Sequence, residues 1–195
     1  MDVPSRLERI RGCVLAPHPQ NPGFELLADG IIEVGPHGRI TAVDHAPSDC
    51  PDPVTLPDCV WLPGFVDTHI HYPQTRVIGT AAGPLLQWLA QSTYPEEMRF
   101  TNESYAAEVA DAFCESMLAQ GTTCASIYSS SDAAATNILF DVLHRRGMRG
   151  LVGLTLMDRE APEPLCVPPG RAMAESERLV KRWHGIDDGR LGFCV

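Results

Sequence analysis

Hydrophobic and polar positions follow two different periods along the chain, and the change between them falls near residue 60. Before that point the apolar residues form short β-branched runs, Ile31–Val34 and Arg39–Val43, on either side of a Gly-Pro-His-Gly turn. This pattern is typical of a β-hairpin. A proline-rich stretch over residues 46–59 follows and predicts a connection that crosses the surface between two parts of the chain. We therefore expect a β-rich part over residues 1–60 and a different architecture over residues 61–195.

Strand and helix patterns alternate through the second part of the chain. The predicted strands cover residues 61–71, 122–128, 149–157 and 190–195, and the predicted helices cover residues 83–92, 101–121, 131–147 and 175–185. Thr101 or Asn102 can cap the second helix, and Gly121 can end it. The alternation predicts an α/β fold with a parallel sheet and right-handed crossovers. Four strands fit either a small open sheet or the first half of a (β/α)8 barrel, which requires about 250 residues.

The composition limits the classes of function. The 195 residues carry a net charge of −10, so no basic surface is available for a phosphate backbone and we expect no nucleic-acid partner. No apolar run has the length of a signal peptide or of a membrane span, so we expect no membrane association. The seven cysteines are dispersed without a CxxC pair, which is typical of reduced thiols in a cytoplasmic protein.

The stretch Pro63–His71, PGFVDTHIH, is the strongest candidate for chemistry because an apolar strand ends in two histidines. Side chains alternate along a strand, so Asp67, His69 and His71 are expected on one face. Two neutral imidazoles at positions i and i+2 can bind one metal ion, and zinc and iron favour nitrogen ligands. In a barrel such groups collect at the C-terminal ends of the strands. The spacing alone leaves a second interpretation open, in which the histidines are solvated or satisfied by the backbone.

The string PGFVDTHIH resembles the metal-binding strand of the amidohydrolase superfamily. Members of that superfamily share a distorted (β/α)8 barrel and a small β-sandwich built largely from the N-terminus. The strings HYPQTRVIG and LLQWLAQSTYPEEMRF, which follow, are similar to the branch of the superfamily that deaminates guanine. The resemblance therefore implies an N-terminal β-sandwich portion over residues 1–60. It also implies the first half of a metal-dependent hydrolase barrel, about four strands, over residues 61–195.

The same resemblance implies a site and a reaction. His69 and His71 would bind one zinc ion, or alternatively iron, while His71 and Gln74 would contact the substrate and Asp67 would support the site without binding the metal. Water activated by the metal would attack C2 of guanine and release ammonia to give xanthine, a step of purine catabolism. The family's proton shuttle is the glutamate of an HxxE motif, and no HxxE occurs in this sequence. We therefore expect no catalytic proton shuttle within the 195 residues, and the family further implies a homodimer.

Two other functions stay open at this point. The chain could belong to an amidohydrolase-superfamily deaminase or chlorohydrolase that acts on a different ring, such as another purine, a pyrimidine or a triazine. Alternatively, it could be an inactive fragment or a scaffold, because the sequence lacks the second half of the expected metal site. Assays across these bases separate the first alternative from a guanine-specific enzyme, and Gln74 favours guanine.

Several residues downstream of the motif are interpreted as structural. Trp88 lies within the apolar string LLQWL and is expected in the core. Glu96 and Glu97 are adjacent acids, which we expect to be solvated rather than catalytic. Cys114 and Cys124 are expected to be small buried apolar groups.

Overall fold

The computed structural model describes residues 9–18, 20–36, 38–51 and 53–195. The chain divides into two compact units, Met1–Pro63 and Gly64–Val195. Each unit contains one β-sheet, and every described helix belongs to the second unit. The fold is therefore mixed α/β, as the sequence predicted. No helix in the described ranges combines the length and the apolar character that a membrane crossing requires.

The first unit is a four-stranded sheet in its described part. Its strands are β1 Arg9–Pro17, β2 Phe24–Val34, β3 Ile40–His45 and β4 Val54–Trp61, in the order β3-β2-β1-β4. Strand β2 is antiparallel to both β1 and β3, whereas β4 runs parallel to β1. The pairing of Ile32 with Val43 confirms the predicted hairpin.

Strand β4 corrects the surface connection predicted over residues 46–59. It pairs with β1 at the edge of the sheet, although a proline stands within it. Proline lacks a backbone N–H, and strands tolerate it at sheet edges and where the pairing is irregular. Both conditions hold here, because the register shifts between Thr55 and Val60 and Asp58 has a φ of 60°. The prolines of residues 46–59 therefore led to the prediction of a connection where the structure has an edge strand.

The second unit is a parallel sheet with helices on one face. Its strands are β5 Phe65–His71, β6 Thr122–Tyr128, β7 Arg149–Gly153 and β8 Leu191–Phe193, paired in that order and all parallel. Its α-helices are α1 Leu85–Trp88, α2 Tyr94–Glu97, α3 Glu103–Ala119, α4 Ala133–Arg145 and α5 Pro169–Trp183. Shorter elements are the 3-10 helices Tyr72–Val77, Met98–Thr101 and Glu163–Leu165, the π-helical turn Leu89–Thr93 and the turn Ile186–Gly189. All four predicted strands form, although β7 and β8 end earlier than the pattern suggested.

Helix α3 follows the sequence signals at both ends. Asn102 Oδ1 accepts a hydrogen bond from the Tyr105 N–H at 3.1 Å, and this bond caps the first turn. Gly121 follows the helix with a φ of 80°, a conformation that glycine adopts without steric cost. Val109 and Phe113 lie on the buried face of the helix. The predicted cap and stop are both confirmed.

Two helices differ from the prediction. Helix α5 begins at Pro169 rather than near residue 175, because proline at the first helical turn leaves no hydrogen bond unmade. Helix α1 is a single α-helical turn that continues directly into the π-helical turn Leu89–Thr93, and its Leu85 and Leu86 are 64% and 77% exposed. Trp88 is only half-buried, and its Nε1 donates to Thr80 Oγ1 at 3.3 Å. The placement of Trp88 in the core is therefore wrong, because this part of the helical segment lies at the surface.

The helices cover one face of the parallel sheet and leave the other face open. Ala125, Ile127 and Val152 belong to the hydrophobic core beneath the helices and are at most 1% exposed. On the opposite face Leu151 is 50% exposed and Tyr128 is 44% exposed. Parallel sheets are usually covered on both faces. The second unit thus has one packed face and one open face, which we call the open sheet face.

We predict that Asn102→Ala destabilises the second unit by about 1 kcal/mol, because the substitution leaves the Tyr105 N–H without its capping acceptor. The measurement is the midpoint of urea unfolding followed by circular dichroism. Glu115→Ala is the control, since Glu115 is exposed on the same helix, and it should change stability by less than about 0.5 kcal/mol. Equal stability of the two variants would show that the cap contributes nothing.

Candidate metal and substrate site

The pairing of β5 with β6 decides which side chains of β5 reach the open sheet face. Ile70 pairs with Ile127, which lies in the core, and His71 pairs with Tyr128. Parallel neighbours at one level point to the same side of a sheet, so Ile70 faces the helices and His71 faces away from them. At the start of the strand a Cβ on Gly64 would lie 2.1 Å from Thr123 Oγ1, so only glycine allows β5 to begin beside β6 here.

The structure brings His69 and His71 together. Their Nε2 atoms are 3.1 Å apart, and their ring centroids are separated by 5.1 Å. The Tyr128 ring lies 4.7 Å from each imidazole and is stacked on His71 with an interplanar angle of 13°. His69 is exposed and His71 is half-buried. Tyr128 was not anticipated from the sequence, because its contact depends on the register between two strands.

The two imidazoles fit part of a metal site. Two nitrogen ligands at about 2.0–2.1 Å in a tetrahedral array lie roughly 3.3 Å apart, close to the observed separation. Burial, and then the neighbouring His69, lower the pKa of His71. A lowered pKa favours the neutral imidazole, which is the form that binds metals. Among the described residues no group of three or more His, Cys, Asp and Glu could hold a metal ion. The pair therefore supplies two ligands where catalytic zinc normally has three from protein.

Asp67 does not join the two imidazoles. One extra residue on β5 separates the pairs Asp67–Ala125 and Ile70–Ile127, so the regular alternation expected from Asp67 to His71 is interrupted by a bulge. The Asp67 carboxylate instead accepts a hydrogen bond from the His69 N–H at 3.0 Å. This bond fixes the backbone at the bulge, and in that way Asp67 holds the strand that carries His69.

Gln74 lies in the 3-10 helix that follows β5. The preceding Tyr72 is fully buried, and its hydroxyl donates to the Ala106 carbonyl at 2.6 Å. Gln74 lines a cavity of about 480 Å³ together with His69 and His71. Its Nε2 approaches Glu97 Oε1 at 3.5 Å. The buried tyrosine therefore anchors the turn that places Gln74 beside the histidines.

The structure corrects the prediction that Glu96 and Glu97 are solvated, since each is only 7% exposed. The Tyr105 hydroxyl donates to Glu96, and Arg99 Nη1 lies 3.0 Å from Glu96 Oε2. Burial raises the pKa of Glu97, and the hydrogen bond from Gln74 partly offsets that rise. The spacing of Glu96 and Arg99 at i and i+3 was a usable signal for an ion pair. The partner of Glu97 had no such signal.

Comparison with known proteins places the chain in a family. A family model described as "Amidohydrolase family" matches residues 60–192, which include β5, β6, β7, the first two residues of β8 and the two histidines. This range is more than half of the chain. The chain belongs to the amidohydrolase family.

The relatives within this family include guanine deaminases. The chain is 36% identical over 181 residues to the probable guanine deaminase of Deinococcus radiodurans, a match that covers 88% of this chain and 41% of the relative. The crystal structure of guanine deaminase from Bradyrhizobium japonicum superposes with a TM-score of 0.83 and 34% identity, over 95% of this chain and 42% of that one. An adenosine deaminase from Xanthomonas campestris with bound zinc gives a TM-score of 0.74 at 25% identity, over 95% and 41% of the two chains. The chain thus spans about two fifths of the length of these proteins.

We predict that His69→Ala or His71→Ala removes most of the zinc from the natural protein that carries this chain, because each change deletes one of two adjacent donors. Metal content is measured by elemental analysis after dialysis. His45→Ala is the control, since His45 is exposed on β3 and should not alter the zinc content. A full equivalent of zinc in the His69→Ala protein would contradict the assignment.

Proposed function

We propose that this chain forms the first part of a guanine deaminase, an enzyme that hydrolyses guanine to xanthine and ammonia in purine catabolism. The observation that carries the proposal is the imidazole pair at the end of β5, with Gln74 in the same cavity. The 36% identity to a probable guanine deaminase over 88% of the chain supports guanine as the substrate.

The proposed architecture is an N-terminal β-sandwich portion over residues 1–60 and the first half of a (β/α)8 barrel over residues 61–195. Four parallel strands in sequential order, covered by helices on one face, support this arrangement. In such a barrel the open sheet face is the inside, and the carboxyl ends of the strands form the mouth of the active site. His69 and His71 lie at that end of β5.

In the proposed site His69 and His71 hold one divalent metal ion. The nitrogen donors suit zinc, with iron as the alternative, and the zinc-bound relative supports zinc. Zinc at such a site supplies a hydroxide nucleophile at neutral pH. The chain's own contribution is to keep His71 neutral by burial and to hold His69 through the Asp67 hydrogen bond.

His71 and Gln74 contact the substrate in this proposal. The Gln74 amide offers one acceptor and two donor hydrogens, and a purine edge has groups that match both. The cavity of about 480 Å³ that His69, His71 and Gln74 line extends along Phe113 and Met117 of α3. We further propose that the enzyme is cytoplasmic, as the dispersed cysteines suggested, and that it assembles as a homodimer, as the family resemblance suggested.

A deaminase acting on a different ring is the second candidate. The likeness to a zinc-bound adenosine deaminase favours it, with a TM-score of 0.74. Guanine is preferred because the Deinococcus radiodurans and Bradyrhizobium japonicum proteins, at 36% and 34% identity, are more similar to this chain than the adenosine deaminase at 25%. Parallel assays with guanine, adenosine, cytosine and a triazine distinguish the two.

We predict that Gln74→Ala lowers kcat/KM for guanine by roughly tenfold or more in the natural protein that carries this chain, because losing a buried amide contact costs about 1–3 kcal/mol. Conversion of guanine to xanthine is followed by ultraviolet absorbance. Gln87→Ala is the control, since Gln87 is an exposed glutamine of α1. An unchanged kcat/KM in the Gln74→Ala enzyme would remove Gln74 from the substrate site. Absence of guanine turnover in the wild-type protein would contradict the proposed function itself.

We also predict that residues 1–195 by themselves bind zinc weakly and do not deaminate guanine. His69 and His71 supply only two ligands, and the open sheet face exposes apolar side chains such as Leu151. Zinc binding is measured by calorimetry, exposed apolar surface by dye fluorescence, and turnover by absorbance with a chelator-treated control. Turnover within about a thousandfold of a complete enzyme would show that other groups complete the site, for example through association of chains.

A further inference from the structure

We propose that Glu97 is a positioning residue that fixes the side-chain amide of Gln74 and so determines which hydrogen-bonding group Gln74 presents to the substrate. The proposal rests on the proposed function for the identity of that substrate. The contact between the two side chains can be tested without any turnover.

Two adjacent acids in α2 provide the contrast that carries this inference. Glu96 and Glu97 are equally buried, at 7% exposure each. Glu96 accepts a hydrogen bond from Tyr105 and pairs with Arg99, so its charge is satisfied by groups that anchor α2 to its neighbours. The only hydrogen-bond donor that reaches Glu97 among the described residues is Gln74 Nε2, at 3.5 Å.

A buried carboxyl with one amide donor and no cation adds little to stability. Removing a charge from water is costly, and buried carboxylates are normally paired or bound by several donors. No hydrogen bond or ion pair joins Glu97 to Asp132, Arg171 or Glu175, the other charged groups around a second cavity of about 240 Å³ that it lines. A buried acid of this kind, in contact with a residue of the candidate site, is typical of a functional group.

The chemistry of the two groups determines which end of the Gln74 amide faces Glu97. An ionised carboxylate can only accept hydrogen bonds, whereas a glutamine amide has a donor end and an acceptor end. Nε2 of Gln74 therefore turns towards Glu97, because the opposite orientation would place two acceptor oxygens against each other. Gln74 Oε1 and one N–H are then left for a ligand in the cavity that also contains His69 and His71.

This orientation matters for recognition of the base. Guanine has a ring N–H and an exocyclic amino group, both of which require an acceptor from the protein. A Gln74 amide that is free to rotate would offer its donor end as often as its acceptor end. The separation of 3.5 Å is long for a hydrogen bond, and such contacts commonly shorten once a ligand is bound.

The first test detects the contact by nuclear magnetic resonance in the natural protein that carries this chain. Glutamine side chains are labelled with ¹⁵N, and the Gln74 amide signals are assigned by their loss in Gln74→Asn. We expect these signals to shift with pH as Glu97 titrates, with a midpoint above the ordinary glutamate value of 4.5. Glu97→Gln should abolish the shift, and the matched control Glu96→Gln should retain it. Gln74 amide signals whose chemical shifts do not change with pH, or still change with pH in Glu97→Gln, would overturn the proposal.

The second test measures the consequence for guanine in the natural protein that carries this chain. Glu97→Gln preserves volume and should lower kcat/KM roughly fivefold, because a charge-assisted hydrogen bond is replaced by a neutral one of either polarity. In a Gln74→Ala background the same change should not lower kcat/KM further, since the Gln74 amide that Glu97 contacts is absent. Glu96→Gln should lower the Tm but leave kcat/KM unchanged. Additive effects of Glu97→Gln and Gln74→Ala on kcat/KM would overturn the positioning role. An inactive wild-type protein would count against the proposed function instead, and the resonance test would still decide whether Glu97 contacts Gln74.

Discussion

The second unit depends on the register in which the end of β5 pairs with β6. Ile70 must enter the core beside Ile127, and this requirement sends His71 to the opposite face of the sheet. A slip of one residue would exchange the two faces and bury an imidazole among apolar side chains. The cost of that burial makes the register specific. The same hydrophobic pairing that builds the core therefore fixes the position of the candidate ligands.

The core also reaches the site through Tyr72, directly after β5. Its ring lies edge-on to Phe100 with centroids 4.9 Å apart, and its hydroxyl is satisfied by the Ala106 carbonyl. A fully buried side chain with both its ring and its hydroxyl engaged has little freedom to move. Gln74 stands two residues further along the same turn. The position of the Gln74 backbone thus follows from the packing of Tyr72 rather than from any contact with a ligand.

Local signals in the sequence were sufficient for the elements that depend on local chemistry. The cap at Asn102, the stop at Gly121 and the histidine pair at i and i+2 could all be read from a few neighbouring residues. The burial of Glu97 could not, because its donor Gln74 is 23 positions away and meets it only after α2 has packed. The bulge after Asp67 was hidden for a similar reason, since a register shift is a property of two strands. Alternation within one strand cannot reveal it.

The open sheet face links the stability of the fold to the completeness of the site. Leu151 and Tyr128 lie half-exposed on this face, and the sheet is parallel, an arrangement that normally requires cover on both sides. His71 shares the same face through its pairing with Tyr128. The Tyr128 ring lies 4.7 Å from each imidazole, so a group that covers Tyr128 on this face would also lie close to His69 and His71. In the proposed metal site, a group that supplies a further ligand would therefore also cover part of the apolar face, and among the described residues no group of three or more possible ligands is present.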